Sequence, residues 1–139
     1  MKGQSIRVNY WAILLSAVAA FVSSWAWYSA LAEPMLRLHP LSQGTPAAMM
    51  RPSAWKMGAE VVRSLILASV LARLVRALGV SSGTGAAGLA VLLWIGFPFV
   101  LWTGAIMWEN VPLELAAIHA GDWLLKLVLV TVIVAVWRK

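Results

Sequence analysis

The stretch Leu113-Glu-Leu-Ala-Ala-Ile-His-Ala-Gly-Asp-Trp-Leu-Leu-Lys-Leu-Val-Leu-Val-Thr-Val-Ile-Val-Ala-Val-Trp137 closes the chain, with only Arg138 and Lys139 after it. It exceeds the roughly 20 mostly apolar residues that an α-helix needs to cross a bilayer. Its apolar residues run continuously rather than alternating, which favours a helix over a barrel strand. From Leu127 to Trp137 it carries no charge, yet its first half contains His119, Asp122 and Lys126. These three are spaced three and then four apart, so they share one helix face. Charges inside a span are costly and mark either a functional site or a buried structural pair.

Three further stretches read in the same way. They run roughly over residues 10–31, 57–78 and 85–108, and the stretch above gives a fourth at 113–137. The first and third are uncharged, whereas the second includes Glu60, Arg63, Arg73 and Arg76. The composition agrees with a membrane setting. The chain is 62% hydrophobic and 12% charged, against about 45–50% and about 25% in soluble domains, and its mean hydropathy is +0.84. The expectation is an all-α integral membrane bundle of four antiparallel, up-down helices in one membrane domain, solvated by the lipid bilayer. Lys2 and Arg7 with the long run after them resemble a signal peptide, and Ala30-Leu31-Ala32 a cleavage site. The length of the run and the aromatic Trp25, Trp27 and Tyr28 favour a retained span.

Charge orients the bundle. Lys2, Arg7, Arg73, Arg76, Arg138 and Lys139 fall on one side, and Arg37, Arg51 and Lys56 on the other. The positive-inside rule then predicts cytoplasmic N and C termini. The basic residues lie at segment ends rather than in a patch, which argues against nucleic acid as a partner despite the net charge of +6. The outer loop over residues 32–56 is interrupted by Pro34, Pro40, Pro46 and Pro52. Within it, Glu33 to Leu41 has the pattern of a short interfacial turn. Gly79 to Gly85 and Glu109 to Pro112 are tight connectors.

Lipid tails are as apolar as leucine, so helix pairing relies on small residues that permit close approach. Ala12, Ser16, Ala20 and Ser24 form one such series, and Ser64, Ala68 and Ala72 another. Ala116 with Ala120, and Ala117 with Gly121, are weaker candidates. Pro98 in the third stretch predicts a kink. Of the nine Trp residues, Trp11, Trp25, Trp27, Trp55, Trp108 and Trp137 read as an interfacial belt. Trp94, Trp102 and Trp123 read as packing or pocket residues.

In an up-down bundle the second and fourth stretches both start on the outer side. Glu60 and Arg63, three apart, then lie at the depth of His119 and Asp122. The expected intramembrane cluster is His119, Asp122, Lys126, Glu60 and Arg63, charge-neutral apart from the histidine, with Glu109 and Asn110 at its rim. Two readings compete. A paired network can fix helix register while adding little net stability. A hydrated cluster can instead handle a proton, an ion or a small solute, with His119 as the group that titrates nearest neutral pH. A membrane enzyme using His119 and Asp122 is a third and weaker reading.

No catalytic set, metal site or cofactor is assigned. There is no cysteine. His39 and His119 meet only if the outer loop folds over the bundle. Gly83-Thr-Gly-Ala-Ala-Gly88 spells a dinucleotide fingerprint but lacks the strand that must precede it.

Several motifs together resemble a family of small bacterial four-span membrane proteins of unassigned function. They are Asn9-Tyr-Trp-Ala-Ile-Leu14, Trp27-Tyr28, Leu93-Trp-Ile-Gly-Phe97, Glu109-Asn-Val-Pro-Leu113 and Ile118-His-Ala-Gly-Asp-Trp-Leu124. In that family the last motif reads more like Asn-Ala-Gly-Tyr-His, so His119, Asp122 and Trp123 mark a distinct branch. The resemblance implies a multi-pass protein of the bacterial inner membrane. The further expectation is an oligomer or a subunit of a membrane complex, acting in small-solute, ion or proton transport or else as a non-catalytic scaffold.

Overall fold

A computed structural model of the chain describes residues 8–38 and 52–137. These residues form helices α1 (Tyr10–Ala30), α2 (Ala32–Leu38), α3 (Ala54–Ala77), α4 (Gly83–Trp94), α5 (Val100–Glu109) and α6 (Leu113–Val136). Among the described residues there is no strand.

The ends of the helices follow from local chemistry. The Asn9 side chain accepts from the Trp11 and Ala12 amides at 3.0 and 3.3 Å and starts α1. At about 1.5 Å per residue, the 21 residues of α1 rise close to the roughly 30 Å of a bilayer core. Pro34 sits in the first turn of α2, where a helix needs no amide donor, and Arg37 pairs with Glu33 one turn earlier. This helix covers most of the short turn expected from Glu33 to Leu41, whose last residues lie outside the described ones. Gly79 takes the left-handed conformation (φ 68°) just past α3, which a glycine adopts without steric cost. Ser82 accepts from the Gly85 amide at 3.1 Å. The Gly83–Gly88 run is therefore the opening of α4 and not a nucleotide-binding turn.

Helices α4 and α5 form one rod, Gly83–Glu109, joined by a π-helical turn over Ile95–Phe99 that contains Pro98. Proline has no amide to donate, and its ring would strike the carbonyl four residues back. The wider turn accommodates it. Asn110, with φ 56°, ends the rod in the left-handed region, and Pro112 leads directly into α6.

The assembly is organised around α6, which packs on α1, α3 and α4, while α1 also packs on α3. The core is made of small and branched residues. Ala17 and Ala20, Ala68, Ala72 and Val75, Ala86 and Ala90, and Val130, Val134 and Ala135 are all buried. Both small-residue series face inward, since Ala12, Ser16, Ala20 and Ser24 are buried on α1 and Ser64, Ala68 and Ala72 on α3. On α6, Ala116 is buried but Ala117 faces outward.

The helices lie within three residues of the four stretches read from the sequence, α3 starting at Ala54 rather than Met57. Three of them, α1, the α4–α5 rod and α6, are long and apolar enough to cross a membrane. Such helices mark a membrane protein. The expectation of four spans is thus met by three. Helix α3 matches α6 in length at 24 residues, but Lys56, Glu60, Arg63, Arg73 and Arg76 make it too charged to qualify.

Candidate functional site

The polar residues of α6 point at α1 and α3. Asp122 and Lys126, one turn apart, are both buried and joined at 3.1 Å from Oδ2 to Nζ. Lys126 Nζ also reaches Glu60 Oε1 on α3 at 2.9 Å. The other oxygen of Glu60 accepts from Arg63 at 2.7 Å. Two anions and two cations alternate along this line, so the network is neutral. It also grades in exposure, from an Asp122 side chain 2% exposed to an Arg63 side chain 61% exposed. The Lys126 ammonium lies 5.6 Å from the Trp123 ring centroid, within cation–π range.

Helix α1 supplies a second set of partners. Ser24 donates to Asp122 Oδ1. The Tyr28 hydroxyl lies 2.8 Å from His119 Nδ1, and either can be the donor according to the imidazole tautomer. The contacts with Ser24 and Tyr28 climb α1 as they descend α6, so these two helices run antiparallel. On its other side, the His119 ring stacks on Trp102 of α5, with centroids 4.8 Å apart and planes 9° apart.

Two indoles fix the α6 backbone beside the site. Trp27 donates to the Ile118 carbonyl at 2.9 Å, and Trp94 donates to the Ala120 carbonyl at 2.7 Å. Trp27 lies against Gly121 so closely that an added Cβ would come within 2.6 Å of its ring.

The structure therefore brings together Glu60, Arg63, Asp122 and Lys126, and pairs His119 with Tyr28 of α1. The expected rim is not part of this network: Glu109 and Asn110 are exposed, and Asn110 serves to terminate a helix. His39 lies outside the described residues. Trp27 and Tyr28 correct the reading of a uniform aromatic belt, because both turn inward while Trp11, Trp25, Trp55, Trp108 and Trp137 stay exposed. The contribution of α1 was the part missed. Its signal is present at Ser24, Trp27 and Tyr28, which continue the face of Ala20 at helical spacing.

Space around the network is small. A crevice of about 20 Å³ is lined by Glu60, Arg63, Ser64, Leu67, Trp123 and Lys126. An apolar groove of about 300 Å³ adjoins it, bounded by Arg63, Ile66, Leu67, Val70 and Trp123. Below Lys126 the contact surface is Leu71, Ala72, Val75, Leu127, Val130 and Val134, all buried. Among the described residues no group of three His, Asp or Glu is placed to hold a metal ion. Chemically, the arrangement offers proton-bearing groups and paired charge, with no activated nucleophile.

Comparison with curated proteins and with solved structures yields no match. Residues 11–135, nearly the whole chain, match the family described as Protein of unknown function (DUF1761), and the chain belongs to that family.

Proposed function

We propose that this chain is a multi-pass protein of the bacterial inner membrane and serves as a non-catalytic scaffold or accessory subunit. In this reading α3 is the fourth span of an up-down bundle with cytoplasmic termini, and the polar cluster holds α1, α3 and α6 in register. The observation that carries it is the closure of the network. Asp122 and Lys126 are 2% and 5% exposed, their charges are balanced by Glu60 and Arg63, and a buried apolar layer lies beneath. A permeation site needs a wetted path on both sides, whereas a register device needs only complete pairing. The α4–α5 rod, with 11% of its most apolar window buried, offers Leu92, Phe97, Leu101 and Met107 to lipid, a second copy or a complex partner.

The test is reconstitution of wild type and Asp122→Asn into liposomes and nanodiscs. The expected result is loss of thermal stability and of any native oligomer in the variant, with proton and ion leak unchanged. A wild-type proton flux that Asp122→Asn abolishes would overturn the reading.

A second reading has one specific observation in its favour, the Tyr28–His119 hydrogen bond at 2.8 Å, one turn from the buried Asp122. Proton handling confined to one half of the membrane uses such neighbouring proton-bearing groups. It predicts that Tyr28→Phe, which leaves the ion pairs intact, removes a proton-dependent activity of the assembled complex while stability changes little.

A further inference from the structure

We infer that the crevice between α3 and α6 is a binding site for a single water molecule, which hydrates the ion-pair network at its α3 edge. The argument begins at Ser64. Its side chain is 3% exposed, and its Oγ has no hydrogen-bond partner among the described residues. Four other hydroxyls on these helices are satisfied by their own backbone. Ser16 donates to Ile13, Ser23 to Ala20, Thr103 to Val100 and Thr131 to Leu127. Ser64 does not follow them, and it lines the crevice instead.

The crevice, at about 20 Å³, exceeds the roughly 10–15 Å³ that one water needs and leaves little for anything larger. A buried water also needs two to four polar partners. Ser64 provides one. The Glu60 carboxylate provides an acceptor. Lys126 provides a donor, because its ammonium has three hydrogens and only two are directed at Asp122 and Glu60. The walls carry one anion against two cations, with Asp122 completing the balance behind Lys126. A neutral guest is favoured over an ion at such a site. Leu67 and Trp123 form the apolar side, and the volume of the crevice limits the guest to one molecule. The inference is independent of the proposed function, since a scaffold and a proton-handling protein can both carry a water here.

The experiment is proton-detected solid-state NMR on the full chain in lipid bilayers, reading magnetisation transfer from water to side chains. Strong transfer to the Lys126 ammonium and to Ser64 is expected, with none to Ser16 or Thr131, which are both fully buried. Ser64→Val fills the crevice and should cut transfer to Lys126 by about fivefold, the population ratio set by one lost hydrogen bond. Leu67→Ala widens the same space and should keep or raise the transfer, which provides a reading even where Ser64→Val does not fold. Wild-type transfer to Lys126 no stronger than to Ser16 would overturn the site, as would an unchanged signal in a folded Ser64→Val. A Lys126 resonance that moves with chloride or sodium concentration would replace water by an ion and also defeat the inference.

Discussion

Asp122 is the acceptor on which α1 and α6 converge, taking hydrogen bonds from Ser24 on α1 and from Lys126 on its own helix, and Lys126 carries the network on to Glu60 of α3. Breaking a buried pair by removing one charge costs about 3–5 kcal/mol, because the remaining charge stays buried. Asp122→Asn should therefore destabilise strongly. Arg63 is 61% exposed at the outer edge of the network, and its loss leaves Glu60 paired with Lys126, so Arg63→Gln should cost clearly less than Asp122→Asn. Removing both members of the buried pair, Asp122→Asn with Lys126→Met, should recover part of the loss. Denaturant unfolding of the four proteins in mixed micelles measures this order, and equal losses for Arg63→Gln and Asp122→Asn would contradict it. A second effect concerns Gly121, where an added methyl meets the Trp27 ring at 2.6 Å. Gly121→Ala should cost about 1–3 kcal/mol by overpacking, and Trp27→Ala in the same chain should relieve most of it. The local pairs were legible in the sequence: Asp122 with Lys126, and Glu60 with Arg63, follow from helical spacing alone. The series Ala12, Ser16, Ala20 and Ser24 marked the inward face of α1, but the partners of Ser24 and Tyr28 on α6 were not legible, because nothing in a charge-free helix fixes its height against a neighbour.

The elements repeat this contrast. Apolar runs of sufficient length located the helices, since length and hydropathy are local properties. The form taken at Pro98 is not local. A proline predicts a disturbance, but a kink, a break and a π turn all satisfy its missing amide. Here the chain uses a π turn, which inserts one extra residue into the rod. A regular α-helix in its place would rotate everything beyond it by about 100° and shift it by about 1.5 Å. Trp102, in α5, lies beyond that turn and owes its place over His119 to it. Pro98→Ala removes the steric reason for the π turn and, by helix propensity, favours a regular helix by about 3 kcal/mol. The expected outcome is a rod at least as stable as the parent, with Trp102 turned off His119. The His119 ring protons should then lose their ring-current shift in NMR spectra. A shift equal to wild type would mean that the Trp94–Phe99 contact, at 5.5 Å, holds the π turn without the proline.

For the molecule as a whole, the charges of α3 set it apart from the three apolar helices. In the proposed four-span reading α3 crosses with them, and its packing supports this. Its buried face runs from Ser64 through Ala68, Leu71 and Ala72 to Val75, and its pair with Lys126 extends this to Glu60. From Glu60 to Val75 the helix rises about 22 Å, and α3 packs on both α1 and α6. A helix lying on the membrane surface would cross two spanning helices at a point and would not follow them over this length. The cost of carrying Glu60 and Arg63 into the bilayer is reduced by Lys126, which joins them in one neutral cluster. The two topologies place the connectors on opposite faces. With the proposed cytoplasmic N terminus, four spans place Ser81 in the cytoplasm and Glu109 outside; with α3 on the surface, the two exchange sides. The chain has no cysteine of its own, so Ser81→Cys and Glu109→Cys each introduce a single label site at an exposed position. A membrane-impermeant thiol reagent applied to intact cells should modify the cysteine at 109 at once, and that at 81 only after permeabilisation. The reverse pattern, with the N terminus shown to be cytoplasmic, would remove α3 from the membrane, and with it the buried setting of the Glu60–Lys126 pair.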